Sequence, residues 1–203
     1  MSKRLVELIQ SRFPRAVLAA HSQFGDDTAV IDPANWKEVA RFLRDSAETD
    51  MNMLSDLTAV DFPDREPRFD IVAHLYSLSK GHRLRLKTQV GDGEGNGAEV
   101  ETLSDLWASA NWAERECFDM FGVTFRGHPD LRRILMYPEF EGYPLRRDYD
   151  AGHIQPLVPY REISGIEKLP PFGTDEGMSF GRQSHAGLSE DEAATSNDET
   201  RVR

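Results

Sequence analysis

The sequence predicts an α+β fold: a mainly antiparallel sheet with flanking helices, followed by an extended C-terminal arm. Three observations carry this reading. Apolar and polar residues alternate through a hairpin in residues 68–90. There Phe69, Ile71, Ala73 and Leu75 share one face, and Leu84, Leu86 and Val90 are set against Arg83, Arg85 and Lys87. Apolar stripes at helical spacing mark short helices before and after that hairpin. Beyond Tyr149 the periodicity stops, and Gly152, Pro156, Pro159, Gly165, Pro170, Pro171, Gly173 and Gly177 punctuate the chain. The expected organisation is an α+β domain over residues 1–149, an extended partner-binding arm over 150–185 and a disordered acidic tail over 186–203. The arm is apolar enough (Ile154, Leu157, Val158, Tyr160, Ile163, Ile166, Leu169, Phe172) to lie along a partner.

Taken in order, Met1 to Arg15 reads as an amphipathic surface helix with Ser2 as N-cap and Leu5, Leu8, Ile9 and Phe13 facing inward. Its Lys3, Arg4, Arg12 and Arg15 imitate a transit peptide, but Glu7 interrupts the basic face. Val17 to Phe24 and Thr28 to Ile31 read as strands joined at Gly25-Asp26-Asp27. Asp32-Pro33 caps a helix with the stripe Trp36, Val39, Ala40 and Leu43. Leu54 to Phe62 is a strand, and Lys80-Gly81 closes the hairpin, whose outer face reads as basic. Gly91 to Gly97 has two acids, no lysine and no apolar helix after it, so it reads as a flexible link rather than a phosphate loop.

Composition narrows the function. The 203 residues carry 24 Lys+Arg against 35 Asp+Glu, a formal charge of −11, which argues against a nucleic-acid binder. The single Cys117 cannot form an intramolecular disulfide and cannot by itself supply a thiolate zinc site or iron–sulfur cluster. No apolar run approaches the roughly 18 residues of a membrane span.

Residues 104–149 hold most of the information. Leu106, Ala110, Ala113, Cys117 and Phe121 form one helical stripe, ending at Gly122 where a C-cap glycine belongs, so Cys117 reads as core. Trp107, Trp112 and Phe118 lie off that stripe, and the same helix carries Glu114, Arg115, Glu116 and Asp119. Arg115 and Asp119 have i, i+4 spacing, and any buried acid among these needs a donor, which arginines of a neighbouring loop or chain would supply. Two related loops follow: Gly127-His128-Pro129-Asp130-Leu131-Arg132-Arg133 and Gly142-Tyr143-Pro144-Leu145-Arg146-Arg147-Asp148. Each joins a glycine, an aromatic ring, a proline, a leucine and paired arginines, a composition enriched at interfaces. Glu114 and Glu116 at i, i+2 do not converge on one atom, and His128 with Asp130 is the residual candidate for a base and its orienter, in a free-standing hydrolase. The His-Pro-Asp run follows a strand at Thr124-Phe125 and lacks the helical hairpin of a J-domain.

The run Glu114-Arg115-Glu116, Asp119, Met120-Phe121, His128, Arg132 and Ile134 resembles the signature of the respiratory complex I 30 kDa subunit family, which in bacteria is the C subunit of NADH-quinone oxidoreductase. The flanking Ala110-Asn111-Trp112, Gly127 to Leu135 and Pro144 to Tyr149 fit the same pattern, and a weaker resemblance reaches back to about Ser2. Met136-Tyr137-Pro138 and Asp150 depart from it, which puts local loop shape in question and leaves the arginines in place. The resemblance implies a non-catalytic structural and assembly subunit in the peripheral arm of an enzyme that passes electrons from NADH to quinone and pumps protons. It implies the 49 kDa-type D subunit as partner, with the B and I subunits nearby. It also implies a place on the cytoplasmic side of the bacterial inner membrane, and FMN and iron–sulfur clusters held by other subunits with no cofactor on this chain. The expected subunit-interface residues are Trp112, Glu114, Arg115, Glu116, Asp119, His128, Asp130, Arg132, Arg133, Arg146, Arg147 and Asp148. The same module in a membrane-bound hydrogenase or a photosynthetic complex I is the nearest alternative.

Overall fold

A computed structural model describes residues 3–158; the expected tail and most of the expected arm lie outside the described residues. Five strands form the main sheet in the order β1-β2-β5-β4-β3: β1 (Val17–Gln23), β2 (Asp26–Ile31), β3 (Met53–Asp61), β4 (Phe69–Tyr76) and β5 (Arg83–Val90). Three of its pairings are antiparallel, and β2 runs parallel to β5 with Ala29 beside Leu86. The fold is α+β with a mainly antiparallel sheet, as expected. A second, two-stranded parallel sheet joins β6 (Glu99–Glu101) to β7 (Thr124–Arg126) and brackets helix α3 (Ala110–Phe121).

Helix α1 (Lys3–Arg12) buries Leu5 and Ile9 in the core. Asp32 accepts a hydrogen bond from the Ala34 N–H, but Pro33 starts a single 3₁₀ turn; α2 (Trp36–Asp45) begins only at Trp36. Its stripe of Trp36, Val39, Ala40 and Leu43 is fully buried, as the spacing predicts. Residues 54, 57 and 59 of β3, 69, 71, 73 and 75 of β4 and 84, 86 and 90 of β5 supply the sheet's half of the core.

Several expectations need correction. The first hairpin turns on Phe24-Gly25, both at positive φ, so Asp26 and Asp27 belong to β2. The outer face of the 68–90 hairpin is not a basic surface: Arg83 pairs with Asp26 at 2.9 Å, Arg85 with the same carboxylate at 3.5 Å and Lys87 with Asp70 at 2.6 Å. Residues 91–97 are a built turn rather than a flexible link. Asp92 Oδ1 accepts from the Glu94 and Asn96 N–H groups, and the Gly91 and Gly95 backbones lie against the Phe69 ring.

Candidate functional site

Helix α3 is the organiser of the informative segment. Gly122 ends it at φ +75°, the left-handed conformation of a C-cap glycine. Cys117 is buried on its core side, and burial pushes its thiol pKa up, away from nucleophile chemistry.

Asp119, near the end of α3, is completely buried. Its Oδ2 accepts three successive backbone N–H groups, from Ile134 at 3.0 Å, Leu135 at 2.7 Å and Met136 at 2.8 Å, and its Oδ1 accepts Arg133 Nη1 at 3.0 Å. Burial alone would raise this carboxyl; the N–H groups and the guanidinium outweigh it and hold the pKa below the ordinary value. The i, i+4 pair with Arg115 is therefore not made. Arg115 instead donates to the Arg132 and Arg133 carbonyls at 3.0 and 3.3 Å and lies over the Trp112 ring, 5.1 Å from its centroid.

Glu114, one turn earlier, is also fully buried, and its donors are not arginines. The Thr102 hydroxyl donates to Oε2 at 2.5 Å and the Leu103 N–H to Oε1 at 2.6 Å, both from the turn after β6. Burial dominates those two bonds and pushes its pKa up to about 7. His128 Nε2 lies 4.0 Å away, with a side chain that is itself buried.

The His128–Asp130 dyad of a hydrolase does not form. His128 Nδ1 accepts from the Asp130 backbone N–H at 3.0 Å, so the ring proton sits on Nε2, facing the Asn111 carbonyl at 3.2 Å. The Asp130 carboxylate is engaged by Arg132 through two bonds of 2.7 and 2.6 Å. Among the described residues there is no group of three or more His, Cys, Asp and Glu side chains able to hold a metal ion.

The second loop is tied down by the same means. Arg146 Nε donates to the Phe121 carbonyl at 2.6 Å, and its guanidinium lies over the Tyr143 and Phe69 rings. Arg133 also covers Tyr143 and donates to the Gly142 carbonyl at 3.1 Å. The two loops share a backbone device as well as a composition, since Gly127 and Gly142 both sit at positive φ. Asp148 meets Arg68, a buried guanidinium that also grips Asp61 at 2.6 and 2.8 Å. Asp61 accepts the Arg147 N–H at 2.8 Å in turn, so Arg147 is held by its backbone while its side chain is exposed. Sequence reasoning missed Arg68, Asp61 and Thr102. The first two flank the connection between β3 and β4, and Arg68 precedes Asp148 by 80 residues, so no spacing connects them.

Of the twelve expected interface residues, Glu114 and Asp119 are sealed inside the chain and shape the surface only through the loops they hold. The exposed ones are Trp112, Glu116, Asp130, Arg132, Arg147 and Asp148; Arg115, Arg133 and Arg146 are half-buried, and the His128 ring is buried. Trp112 is 62% exposed, and Leu135 and Tyr137 between the two loops and Leu145 in the second also leave large apolar surface in water. Residues 150–158 belong to the same compact unit, with Gln155 bonded to Glu141 and to the Tyr149 hydroxyl.

Fold and segment together define a small α+β module whose charged residues mostly build its own irregular loops. The comparisons make this specific. The family model for the respiratory-chain NADH dehydrogenase 30 kDa subunit matches residues 29–155, and the chain belongs to that family. It is 46% identical over 144 residues to the C subunit of the NADH-quinone oxidoreductase of Roseiflexus castenholzii, covering 71% of this chain and 81% of the relative. It is 40% identical over 183 residues to the corresponding C subunit of Cereibacter sphaeroides, covering 85% and 90%. Its fold matches a chain of the membrane-bound sulfane sulfur reductase, an archaeal respiratory membrane complex, with a TM-score of 0.61 and 26% identity over 74% of this chain and 86% of that one. No helix among the described residues is long and apolar enough to cross a membrane.

Proposed function

We propose that this chain is a non-catalytic structural and assembly subunit of the peripheral arm of proton-pumping NADH-quinone oxidoreductase. It packs on the 49 kDa-type D subunit at the quinone site, near the B and I subunits, on the cytoplasmic side of the inner membrane. FMN and iron–sulfur clusters reside on other subunits. The observation that carries this reading is the way residues 112–149 spend their charge. Buried acids fix two arginine-bearing loops, and the surface so formed exposes Trp112, Leu135, Tyr137 and Leu145 among charged residues, with Arg115 lying over the Trp112 ring. That is the make-up of an interface core rather than of a cleft that binds a small substrate. Direct contacts fall to Trp112, Arg115, Glu116, Arg132 and Arg147, which reach the surface. Glu114, Asp119, His128, Arg133 and Arg146 act as the frame behind them, while the exposed Asp130 and Asp148 hold Arg132 and the buried Arg68.

A tagged chain extracted from native membranes in mild detergent tests this. Recovery with the B, D and I subunits and with inhibitor-sensitive NADH oxidation is the expected result. Recovery with hydrogenase subunits would keep the scaffold role and replace the parent complex. A lone chain, free of membranes at low salt, would contradict the proposal.

A further inference from the structure

The opposite end of the sheet carries a second surface that residues 112–149 do not explain. Strand β1 is the outermost strand, paired only with β2. All its residues after Val17 are exposed, on both faces. Proteins ordinarily blunt such an edge with lysine, proline or other charge. The strand VLAAHSQ has none, in a chain of which 29% is charged. Its one irregularity lies between Val17 and Ala19, leaving Ala19 to Gln23 in regular register.

Which backbone groups are open follows from the turn. Gln23 and Asp26 flank a two-residue loop and so form the hydrogen-bonded pair that closes the hairpin. Alternation then directs the N–H and C=O of Ser22 and Ala20 away from β2, along the open edge. At the tip, Phe24 holds φ +55° and is fully exposed. An aromatic residue in that conformation is strained where Asn or Gly would not be, and it covers nothing in the chain. Beside the strand, α1 and β1 border a groove of about 270 Å³ whose lining includes Glu7, Gln10, Ala20, His21, Ser22 and Asp27. Asp27 is buried, and its Oδ2 has no hydrogen-bond partner among the described residues.

We infer that the β1 edge receives an extended segment from another subunit of the complex, added as a sixth strand. The segment presents a lysine or arginine to Asp27, and its subunit takes Phe24 into an apolar pocket. Backbone pairing at Ala20 and Ser22 supplies register, the basic residue satisfies the orphaned carboxylate oxygen, and the aromatic tip supplies apolar anchorage. The inference rests on the subunit reading above.

The intact complex is the material for the test. With p-benzoylphenylalanine replacing Phe24, illumination is expected to cross-link this chain to a different subunit. Hydrogen exchange of the complex should show the Ala20 and Ser22 amides slowed at least about tenfold relative to unpaired amides. Phe24→Asn relieves the backbone strain, so the variant folds at least as well, yet it should lower recovery of the complex; Ala20→Pro should do the same by blocking one edge donor. A complex that assembles with free Ala20 and Ser22 amides, or that cross-links only within this chain or to a second copy of it, overturns this inference alone. A chain recovered with no other subunit overturns the subunit reading and this inference with it.

Discussion

Asp119 and Glu114 sit five residues apart on one helix, are equally buried, and have opposite electrostatic fates. Asp119 is surrounded by three N–H groups and a guanidinium and stays ionised. Glu114 has one hydroxyl and one N–H, too little to offset its burial. The difference gives a pH dependence with a definite sign. Glu114 titrates near 7 in the folded chain against an ordinary 4.5, so the folded state holds the proton more tightly. Its contribution to stability is complete below pH about 4.5 and lost as the pH rises through about 7, an effect on the order of 3 kcal/mol. Glu114→Gln imitates the protonated form, and urea unfolding of the variant between pH 5 and 7.5 should lose most of that slope. An unchanged slope would mean Glu114 is ionised when buried. That a buried Asp119 would take an arginine is legible from the arginine loops that follow it; the three backbone N–H donors are not. That Glu114 takes Thr102 is not, because β6, the strand leading into that turn, is only three residues long and two of them are acids.

Among the elements, the helix stripes and the long hairpin are readable because burial on one face imposes the 3.6 and 2.0 periods directly. Turn positions are less so. Phe24 occupies a site where turn chemistry favours Asn or Gly, so sequence patterning places the first turn one residue late. Gly122 correctly marks the end of α3, and its role is greater than ending a helix. A Cβ at Gly122 would lie 2.6 Å from the Tyr143 ring and 2.7 Å from Arg146 Nη2. Gly122→Ala should therefore cost about 2–5 kcal/mol, the sum of a left-handed backbone penalty and overpacking. Gly25→Ala is the matching control, with a similar positive φ and nothing within 4 Å of its Cβ. It should cost only the backbone share, about 1–2 kcal/mol in the same unfolding assay. Equal costs would show that the ring and guanidinium move aside freely.

At the scale of the whole molecule, the class of fold is legible in the sequence and the wiring is not. No local pattern announces that β2 lies parallel to β5, or that Arg68 reaches across to Asp148; both join residues far apart in sequence. The resemblance concentrated in residues 110–149 does reach the family, because those residues build a particular loop architecture rather than a generic core. On the proposed reading, this architecture serves assembly and not chemistry. Trp112→Ala tests it most directly, since the side chain is largely exposed and its removal should leave the fold within about 0.5 kcal/mol of the parent. Measured in native membranes, the variant should lower the amount of assembled complex, with binding weakened by about 2 kcal/mol or roughly 30-fold if Trp112 is an interface anchor. NADH:quinone turnover per assembled complex should stay unchanged. Full assembly with turnover lost would mean that Trp112 acts on the chemistry and not on assembly.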